Sequence, residues 1–557
     1  MQQMRKNKKS NYSCDFETTT DLNDCRVWAW ASYNIDTEDF NYNNSISSFI
    51  LWMGGLKHNT NIYFHNLKFD GEFIISYLLM NNWSYSEDLE EDQVFNIVMS
   101  KTGQIYVLNL HYKLKKDIVI YDSLKKLPMS VSAIAKAFNL QETKLFINYD
   151  EKRTIDHVLT DEEINYIHND VVIVGKALKQ QFDHNLKKMT IGSDALNNYK
   201  ATLGKFEFKK LFPVLSPIYD TDIRKAYKGG FTYASDNFKN KIVGNGLVFD
   251  VNSLYPSVMY NNLLPYGYPC YFEGIYQENK LYPLYIQHVI VIFTIKKDHI
   301  PTIQIKNHFF YQETEYLKEV IDPVDLYLTS VDLDLMMQQY DISYIDYIDG
   351  YMFQGKYNLF KDYIDYWGDI KATSIGGQRQ LAKLMLNSLY GKFGTNTNIT
   401  GMYAYLDLEG IVKYKLKDPE TREPVYTPMA TFITAYARYK TITTAQILYK
   451  RFCYADTDSI HIIGDEVPDN IEVHPTKLGA WKLESKFIKA KFVRAKTYLE
   501  QQEDHENIDV KCAGLPAYLH KYINFDNFNS GLTLYGKLRP CHVKGGIVLI
   551  KSTYTLK

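Results

Sequence analysis

The stretch RFCYADTDSIHII, residues 451–463, places a short acidic turn between two runs of residues that favour β-strands. This pattern predicts a β-hairpin whose turn pushes Asp456 and Asp458 out of a sheet. A second apolar run, GLVF at residues 246–249, ends at Asp250 and predicts a buried strand with an acid at its end. We therefore expect the three carboxylates to approach one another, which would give a hard divalent cation the oxygen ligands that it prefers.

A cationic stretch, RQLAKLMLNSLYG at residues 379–391, lies between these acids in the sequence. On a helix, Arg379, Lys383, Asn387 and Tyr390 fall in one stripe, and Gly391 suits the helix end. Taken singly, such a helix is best interpreted as amphipathic with a solvated polar face. The two neighbouring acidic segments favour a second interpretation, in which the stripe binds a triphosphate and the tyrosine ring meets the incoming base.

A further acidic set begins near the N-terminus, where Asp15 and Glu17 stand two residues apart in SCDFET. Strand alternation places both on one face, although most such pairs are solvated surface. The set is completed further along the chain by Asp70, Lys144, Tyr166 and Asp170. Tyr166 and Asp170 share a helical face by their i, i+4 spacing, on a helix that Thr160 and Glu163 begin as a capping box. Two metals held by the acids could activate a water against a phosphodiester, with Tyr166 and Lys144 positioning water and phosphate.

Composition bounds the possibilities. A length of 557 residues predicts about three to five structural units. Because 63 Lys and Arg balance 65 Asp and Glu, a global basic field is excluded and any nucleic-acid contact must be local. One local candidate is the basic run from Lys482 to Lys496, which includes Lys491 and is interleaved with Phe487 and Phe492; it is either a DNA track or a solvated face. Six cysteines without a CxxC pair, and apolar runs too short for a membrane span, predict a soluble protein with free thiols and no export signal.

The motifs together resemble those of a known family. DFET, HNLKFDG and YIHND are similar to the three exonuclease motifs of family B DNA polymerases. FDVNSLYPS, KLMLNSLYGKFG, YADTDS and the KTY at residues 496–498 are similar to the polymerisation motifs, and all occur in the family's order. The YKGG at residues 227–230 and two insertions resemble the protein-primed branch, of the phi-29 type phage enzymes.

The resemblance implies an α/β and α+β multidomain fold, in which an RNase H-like 3′-to-5′ exonuclease domain precedes a right-hand polymerase. The implied boundaries are 1–190 for the exonuclease domain, 191–303 for the first part of the palm, 304–357 for the first terminal-protein-region insertion, 358–394 for the fingers, 395–420 for the second insertion, 421–515 for the second part of the palm and 516–557 for the thumb.

The resemblance also implies roles for individual residues. The catalytic and metal-binding residues would be Asp250 and Asp458 with Asp456 assisting, and Asp15, Glu17, Asp70 and Asp170, with Tyr166 and Lys144 as further catalytic residues. The nucleotide would meet Val251, Ser253, Leu254, Tyr255, Lys371, Arg379, Lys383, Asn387 and Tyr390, of which Val251 is also a candidate metal ligand. DNA would contact Thr18, His65, Asn66, Phe69, Ser123, Leu124, Tyr227, Gly229, Gly230, Lys496 and Tyr498.

The implied function is a DNA-directed DNA polymerase with a proofreading exonuclease. It would replicate a linear phage genome in the host cytoplasm by terminal-protein priming, strand displacement and two-metal nucleotidyl transfer. The cofactor would be Mg²⁺, with Mn²⁺ as a substitute. The partners would be primer-template and single-stranded DNA, dNTPs and a terminal protein, without a membrane; the chain would be a monomer that pairs with terminal protein at initiation. Two alternatives are a nuclease with an inactive polymerase half and a non-catalytic scaffold for terminal protein, and the presence of both complete acid sets argues against them.

Overall fold

The computed structural model describes residues 9–112, 116–149, 151–305, 315–503 and 507–556. Residues 306–314 of the predicted first insertion therefore lie outside the described residues. In the ranges just given, no helix has both the length and the apolar character needed to cross a membrane. Helices and strands build several units around separate sheets, which confirms the predicted mixed multidomain class.

The elements are numbered in chain order. The strands are β1 (Ser10–Thr18), β2 (Val27–Asn34), β3 (Phe40–Asn43), β4 (Thr60–Phe64), β5 (Ser84–Tyr85), β6 (Val94–Met99), β7 (Ile105–Tyr112), β8 (Lys116–Asp122), β9 (Thr232–Ala234), β10 (Ile242–Val243), β11 (Gly246–Val251), β12 (Leu264–Glu273), β13 (Leu284–Ile295), β14 (Glu319–Thr329), β15 (Tyr340–Lys356), β16 (Met402–Leu406), β17 (Val412–Leu416), β18 (Phe452–Asp456), β19 (Ser459–Ile463), β20 (Trp481–Arg494), β21 (Thr497–Gln502), β22 (Ile508–Cys512), β23 (Thr533–Val543) and β24 (Gly546–Thr555). The helices are α1 (Ile46–Gly55), α2 (Leu67–Met80), α3 (Val131–Ala137), α4 (Asp161–Asp183), α5 (Ile191–Leu203), α6 (Lys205–Leu211), α7 (Pro217–Lys225), α8 (Leu254–Asn261), α9 (Ser330–Gln339), α10 (Lys361–Thr373), α11 (Gly376–Phe393) and α12 (Thr427–Ile447).

The first sheet has the strand order β3-β2-β1-β4-β8-β7-β6-β5. Its strand β1 pairs antiparallel with β2 and parallel with β4, and α4 packs against β1 and β2. The predicted capping box of Thr160 and Glu163 begins α4, because each side chain satisfies a backbone N–H of the other. Gly175 allows the close approach of α4 to β1, since a Cβ there would lie 2.7 Å from Ser13 Oγ. This packing brings the acids of β1 and α4 together.

The second sheet carries the predicted hairpin. Its order is β22-β21-β20-β11-β19-β18-β9, with β10 paired to β20. Strands β18 and β19 form the hairpin with Asp458 in its turn, and β11 runs antiparallel to β19 so that Asp250 pairs with Ser459. Helices α8, α11 and α12 share a large apolar core with this sheet. Helix α11 continues through Gly391 to Phe393, so the helix ends two residues beyond the predicted end at Gly391; nothing approaches the missing Cβ of Gly391 within 4 Å.

The remaining units lie between and beyond these sheets. A third sheet has the order β12-β15-β13-β14 and packs with α9, and it therefore includes strands that precede residue 304. The segment 395–420, predicted as the second insertion, contains the hairpin β16–β17, which contacts β6 and α2. The C-terminal hairpin β23–β24 also contacts α2, and Ile547 joins the apolar core of the first sheet. Both hairpins thus contact the unit that holds the N-terminal acids.

Candidate active sites

The N-terminal acids form a cluster. Asp15 and Glu17 on β1 and Asp170 on α4 each offer a carboxylate oxygen, and these oxygens lie within 4.8 Å of one another. Asp70 on α2 is only 4% exposed, and it is close enough that the charges of Asp15 and Glu17 act on it. The structure therefore brings together the four acids that strand alternation and motif spacing predicted.

Burial dominates the electrostatics of this cluster. Burial, and then the charge of Asp170, raises the pKa of Asp15 from 3.8 to about 7, while Lys144 opposes the rise. Burial likewise raises the pKa of Glu17 and of Asp70 well above their ordinary values. Like charges held this close favour protonation or a shared cation. A small divalent ion with oxygen ligands fits the cluster.

Lys144 is a cation in contact with this cluster. Lys144 Nζ donates to Tyr166 Oη at 2.7 Å and pairs with the Asp170 carboxylate. The other Asp170 oxygen, Oδ1, is buried without a hydrogen-bond partner, as expected for an atom that faces a cation. The Tyr149 hydroxyl lies 2.8 Å from the Tyr166 hydroxyl. Tyr149 was missed from the sequence, and its position five residues after Lys144 was the available signal.

The residues predicted to hold a frayed DNA end lie at the end of β1, at the start of α2 and just after β8. His65 Nδ1 is 3.0 Å from Ser123 Oγ, and its Nε2 is 2.8 Å from the Met129 carbonyl oxygen. Burial lowers the pKa of His65, which favours the neutral ring. Asn66 is exposed in a left-handed conformation at φ 75°, before α2. The other candidates of this group are Thr18, at the buried end of β1, Phe69, whose ring contacts Phe73, and Leu124, which is half-buried.

The second acidic site lies at the hairpin. The Val251 N–H donates to the Asp458 carbonyl oxygen at 2.7 Å, which joins the end of β11 to the turn. Burial, and then the charge of Asp458, raises the pKa of Asp250 to about 7. Asp456 Oδ1 accepts from Thr232 Oγ1 at 2.9 Å and lies 3.7 Å from Lys496 Nζ. Asp250 and Asp458 thus face each other, while Asp456 is bonded elsewhere and acts on Asp458 through its charge.

Asp250 and Asp458 open onto a cleft of about 1380 Å³. The cleft gathers every residue predicted to meet the nucleotide, which are Val251, Ser253, Leu254, Tyr255, Lys371, Arg379, Lys383, Asn387 and Tyr390. Lys371 Nζ donates to Ser253 Oγ at 2.8 Å, and the Tyr255 and Tyr390 rings stack with centroids 3.9 Å apart. Burial, and then the neighbouring Arg379 and Lys383, lowers the pKa of Lys371. Cations that repel one another beside two acids form a site for a polyphosphate with bound metal.

The cleft also has lining residues that were not assigned to it from the sequence, among them Lys136, Asn139, Lys482 and Glu484. Lys136 and Asn139 come from the unit of the first sheet, and no local pattern connects them with the cleft. Lys482 and Glu484 come from β20, where Lys482 pairs with Asp250 in register. Acidic Glu484 adds to the field that raises the pKa of Asp250.

Only part of the predicted DNA track from Lys482 to Lys496 is exposed at the surface. Lys491 is 5% exposed, and its Nζ donates to the Phe525 carbonyl oxygen and to Asn529. Phe487 and Phe492 are buried in an apolar cluster. Phe487 and the whole run from Ala490 to Val493 of β20 are buried, so these three residues face the interior and the prediction that they face DNA is wrong.

The YKGG segment is attached to the acidic turn. Arg438 of α12 donates to the Lys228 and Gly229 carbonyl oxygens at 3.0 and 2.8 Å, and its buried guanidinium pairs with Asp332. The Thr457 N–H donates to the Phe231 carbonyl oxygen at 2.7 Å. A Cβ on Gly230 would lie 2.7 Å from Thr457, so only glycine fits.

The side chain of Tyr227 lies beside the end of α11, since a Cβ on Gly394 would lie 2.8 Å from the Tyr227 hydroxyl. The motif therefore lies between α11 and the hairpin that carries Asp458. Arg438 was missed from the sequence, because nothing in its own helix marks it.

Comparisons with known proteins identify the family of this chain. Residues 55–158 and 142–474 match the family described as DNA polymerase type B, organellar and viral. The DNA polymerase of Bacillus phage phi29 is 47% identical, with 100% of each chain covered. The solved structure of phi29 DNA polymerase with primer-template DNA and incoming nucleotides superposes with a TM-score of 0.93 at 47% identity, covering 98% of this chain and 100% of that one. The phi29 enzyme with single-stranded DNA gives a TM-score of 0.94 at 46% identity, with coverage of 98% and 100%.

The chain belongs to the type B DNA polymerases of organelles and viruses. Within that family it is a DNA polymerase of the phage type, similar over its full length to the phi29 enzyme. Polymerases of this family depend on divalent metal ions, and the cluster of Asp15, Glu17 and Asp170 has the donor atoms to bind one.

Proposed function

We propose that the chain is a replicative DNA polymerase that proofreads with a separate 3′-to-5′ exonuclease site. The observation that carries the proposal is the presence of two distinct acidic sites of different design. One is a buried four-acid cluster, and the other is an acid pair at a cationic cleft. An RNase H-like exonuclease domain over 1–190, and palm, fingers, thumb and two insertions with the boundaries given above, account for this arrangement.

Polymerisation is assigned to the cleft. Asp250 and Asp458, with the Val251 backbone, would hold magnesium, or manganese in its place, and the bound metals would stabilise the attacking and leaving oxygens of nucleotidyl transfer. Lys383, with Lys371 and Arg379, would bind the triphosphate. The half-buried rings of Tyr255 and Tyr390 would contact the sugar and the nascent base pair, beside Ser253, Leu254 and Asn387. A tyrosine ring under the sugar would exclude a 2′-hydroxyl.

Asp456 supports this site through its charge, and the primer end would lie against Lys496 and Tyr498. Tyr227, Gly229 and Gly230 would contact the template and adjust the balance between synthesis and degradation. The hydrogen bond between Thr457 and Phe231 supports this coupling, because it joins that segment to the acidic turn.

Exonuclease activity is assigned to the N-terminal cluster. Asp15, Glu17, Asp70 and Asp170 would hold metals that activate a water. The Lys144 ammonium and the Tyr166 hydroxyl, 2.7 Å apart, would orient the water and the phosphate. Thr18, His65, Asn66, Phe69, Ser123 and Leu124 would hold the unpaired 3′ end.

The partners follow from the relatives. The phi29 enzyme has been solved with single-stranded DNA, primer-template DNA and incoming nucleotides, and we propose the same ligands here. Terminal-protein priming and strand displacement on a linear phage genome would use the segments at 304–357 and 395–420. We propose a monomer that pairs with terminal protein at initiation. Six free cysteines support action in the reducing host cytoplasm.

A singly primed DNA circle with magnesium and dNTPs, without helicase or clamp, tests the proposal. We compare the wild type with Asp458→Ala and with Asp15→Ala plus Asp70→Ala. Products longer than one circle that are lost only in Asp458→Ala, with primer shortening lost only in the double variant, support a strand-displacing polymerase with a separate exonuclease. A wild type that merely shortens the primer, unaffected by Asp458→Ala, refutes the assignment of polymerisation to the cleft.

A further inference from the structure

A buried polar pair lies beneath the segment proposed to hold the primer end. His461 and Glu500 are 2% and 4% exposed, and His461 Nδ1 is 2.6 Å from Glu500 Oε1. His461 belongs to β19, which follows the acidic turn, and Glu500 belongs to β21. Strands β11 and β20 separate β19 from β21 in the sheet. The pair therefore joins two strands that share no backbone hydrogen bonds.

Three aromatic rings cover this pair. The centroids of Tyr454, Phe492 and Tyr498 lie 5.3, 5.6 and 5.2 Å from that of His461. Tyr498 is thus packed edge-on against His461, and Tyr454 lies two residues before Asp456. One cluster of side chains contacts both the acidic turn and the primer-holding segment.

A second contact fixes the same segment from the side of the turn. The Tyr454 hydroxyl accepts from the Lys496 N–H at 2.8 Å. Lys496 has a φ of 56°, a left-handed conformation that costs free energy in a residue other than glycine and persists only where neighbours hold it. Its Nζ lies 3.7 Å from Asp456 Oδ1. The segment is therefore constrained at Lys496, at Tyr498 and at Glu500.

We propose that His461 and Glu500 are positioning residues for primer binding. Their hydrogen bond sets the position of Lys496 and Tyr498 relative to the turn that carries Asp456 and Asp458. The inference rests on the proposed primer-holding role of Lys496 and Tyr498. A hydrogen bond specifies direction, whereas an apolar pair of similar volume stabilises a core without doing so. The polar pair therefore matters for the geometry of the primer site rather than for the stability of the sheet.

The test uses the full chain and a primer-template with a recessed 3′ end, without divalent metal so that neither reaction runs. Glu500→Leu removes the acceptor, and Glu500→Gln keeps an oxygen that can accept from His461. We expect Glu500→Leu to raise the Kd for primer-template about tenfold, and Glu500→Gln to change it less than about twofold. Glu503→Leu, an exposed acid just beyond β21, is the matched control. With magnesium and saturating DNA, the KM for dNTP stays at the wild-type value in Glu500→Leu.

A double-mutant comparison separates positioning from a structural effect. In the Lys496→Ala background, Glu500→Leu should raise the Kd for primer-template by a further factor of less than about two, because the contact that it positions is already gone. Should Glu500→Leu unfold, the combination of His461→Phe with Glu500→Leu replaces the pair by apolar groups, and thermal unfolding verifies that it folds.

The outcomes distinguish this inference from the proposed function. If the folded variant with His461→Phe and Glu500→Leu binds primer-template with wild-type affinity while Lys496→Ala binds it more weakly, the inference is overturned and the proposed function stands. Unchanged affinity in both Lys496→Ala and Glu500→Leu overturns the primer-holding role together with the inference.

Discussion

The two acidic sites of this polymerase differ in how they balance charge. The N-terminal cluster gathers three buried acids and the half-buried Asp15 against one cation, Lys144, in a small space. The cleft places two facing acids, Asp250 and Asp458, among five lining cations and beside two stacked tyrosines in about 1380 Å³. A closed acid cluster suits metals that act on a phosphodiester and water, whereas an open cationic cleft suits a triphosphate that must enter and leave. The difference teaches that the placement of cations, more than the number of acids, distinguishes the two sites of this chain.

The sharpest way to break the comparison is Asp250→Asn. This change removes one of the two facing carboxylates at the cleft while keeping its volume. We expect primer extension to fall by about 10²–10³-fold or more, because a group that stabilises charge in the transition state is lost. Degradation of single-stranded DNA, which we assign by proposal to the other cluster, should keep its wild-type rate. Measured in parallel gel assays, an equal fall in both activities would show that the sites are not independent.

Lys383→Ala tests the cationic side of the cleft. A charge-assisted hydrogen bond to phosphate contributes about 1.5–3 kcal/mol, so the KM for dNTP should rise about 10–100-fold. Lys482→Ala, which changes a lysine of β20 that lines the same cleft and pairs with Glu484, is the comparison variant. Steady-state extension over a dNTP titration measures the change. An unaltered KM in Lys383→Ala would contradict the assignment of this lysine to the triphosphate.

Lys144→Ala makes the corresponding change in the N-terminal cluster. We expect about a tenfold loss of 3′-end degradation, at the low end for a group that orients metal ligands, with extension unchanged. Exonuclease rates on a labelled single strand provide the measurement, and Lys176→Ala, a lysine on the same unit paired with Glu142, is the control. Full activity in Lys144→Ala would leave Tyr166 and the acids as the whole site.

The smallest expected effect is on stability. The pKa of Asp15 and that of Asp250 are each raised to about 7, so the folded chain binds these protons more tightly than the unfolded chain. Without metal, stability should therefore fall as pH rises from about 4 to about 7, lowering Tm by about 2 °C. Magnesium should oppose the fall, since it takes the place of the protons.

Calorimetry at several pH values, in EDTA and in magnesium, measures the slope of Tm against pH. Asp15→Asn with Asp70→Asn should flatten it more than Asp250→Asn, since four acids crowd the first site and two face each other in the second. If Asp250→Asn flattened the pH dependence of Tm more than Asp15→Asn with Asp70→Asn does, the order of the two sites in this comparison would be reversed.

Local features were predictable from the sequence. The capping box at Thr160 and Glu163, the hairpin around Asp458 and the shared face of Asp15 and Glu17 all follow from backbone periodicity over a few residues. Most of the residues predicted to meet the nucleotide belong to two motifs, at 249–257 and 383–394, and the fold brings both motifs to one cleft.

Other features depended on packing between distant segments. Asp456 bonds to Thr232, 224 residues earlier in the chain, and Lys491 is buried against Phe525. His461 reaches Glu500 across two intervening strands. The sequence by itself determined which elements form and which acids they carry, because side-chain periodicity is a local property of helices and strands. Only the tertiary structure decided which of those side chains meet, because contact between distant segments depends on how whole sheets and helices pack.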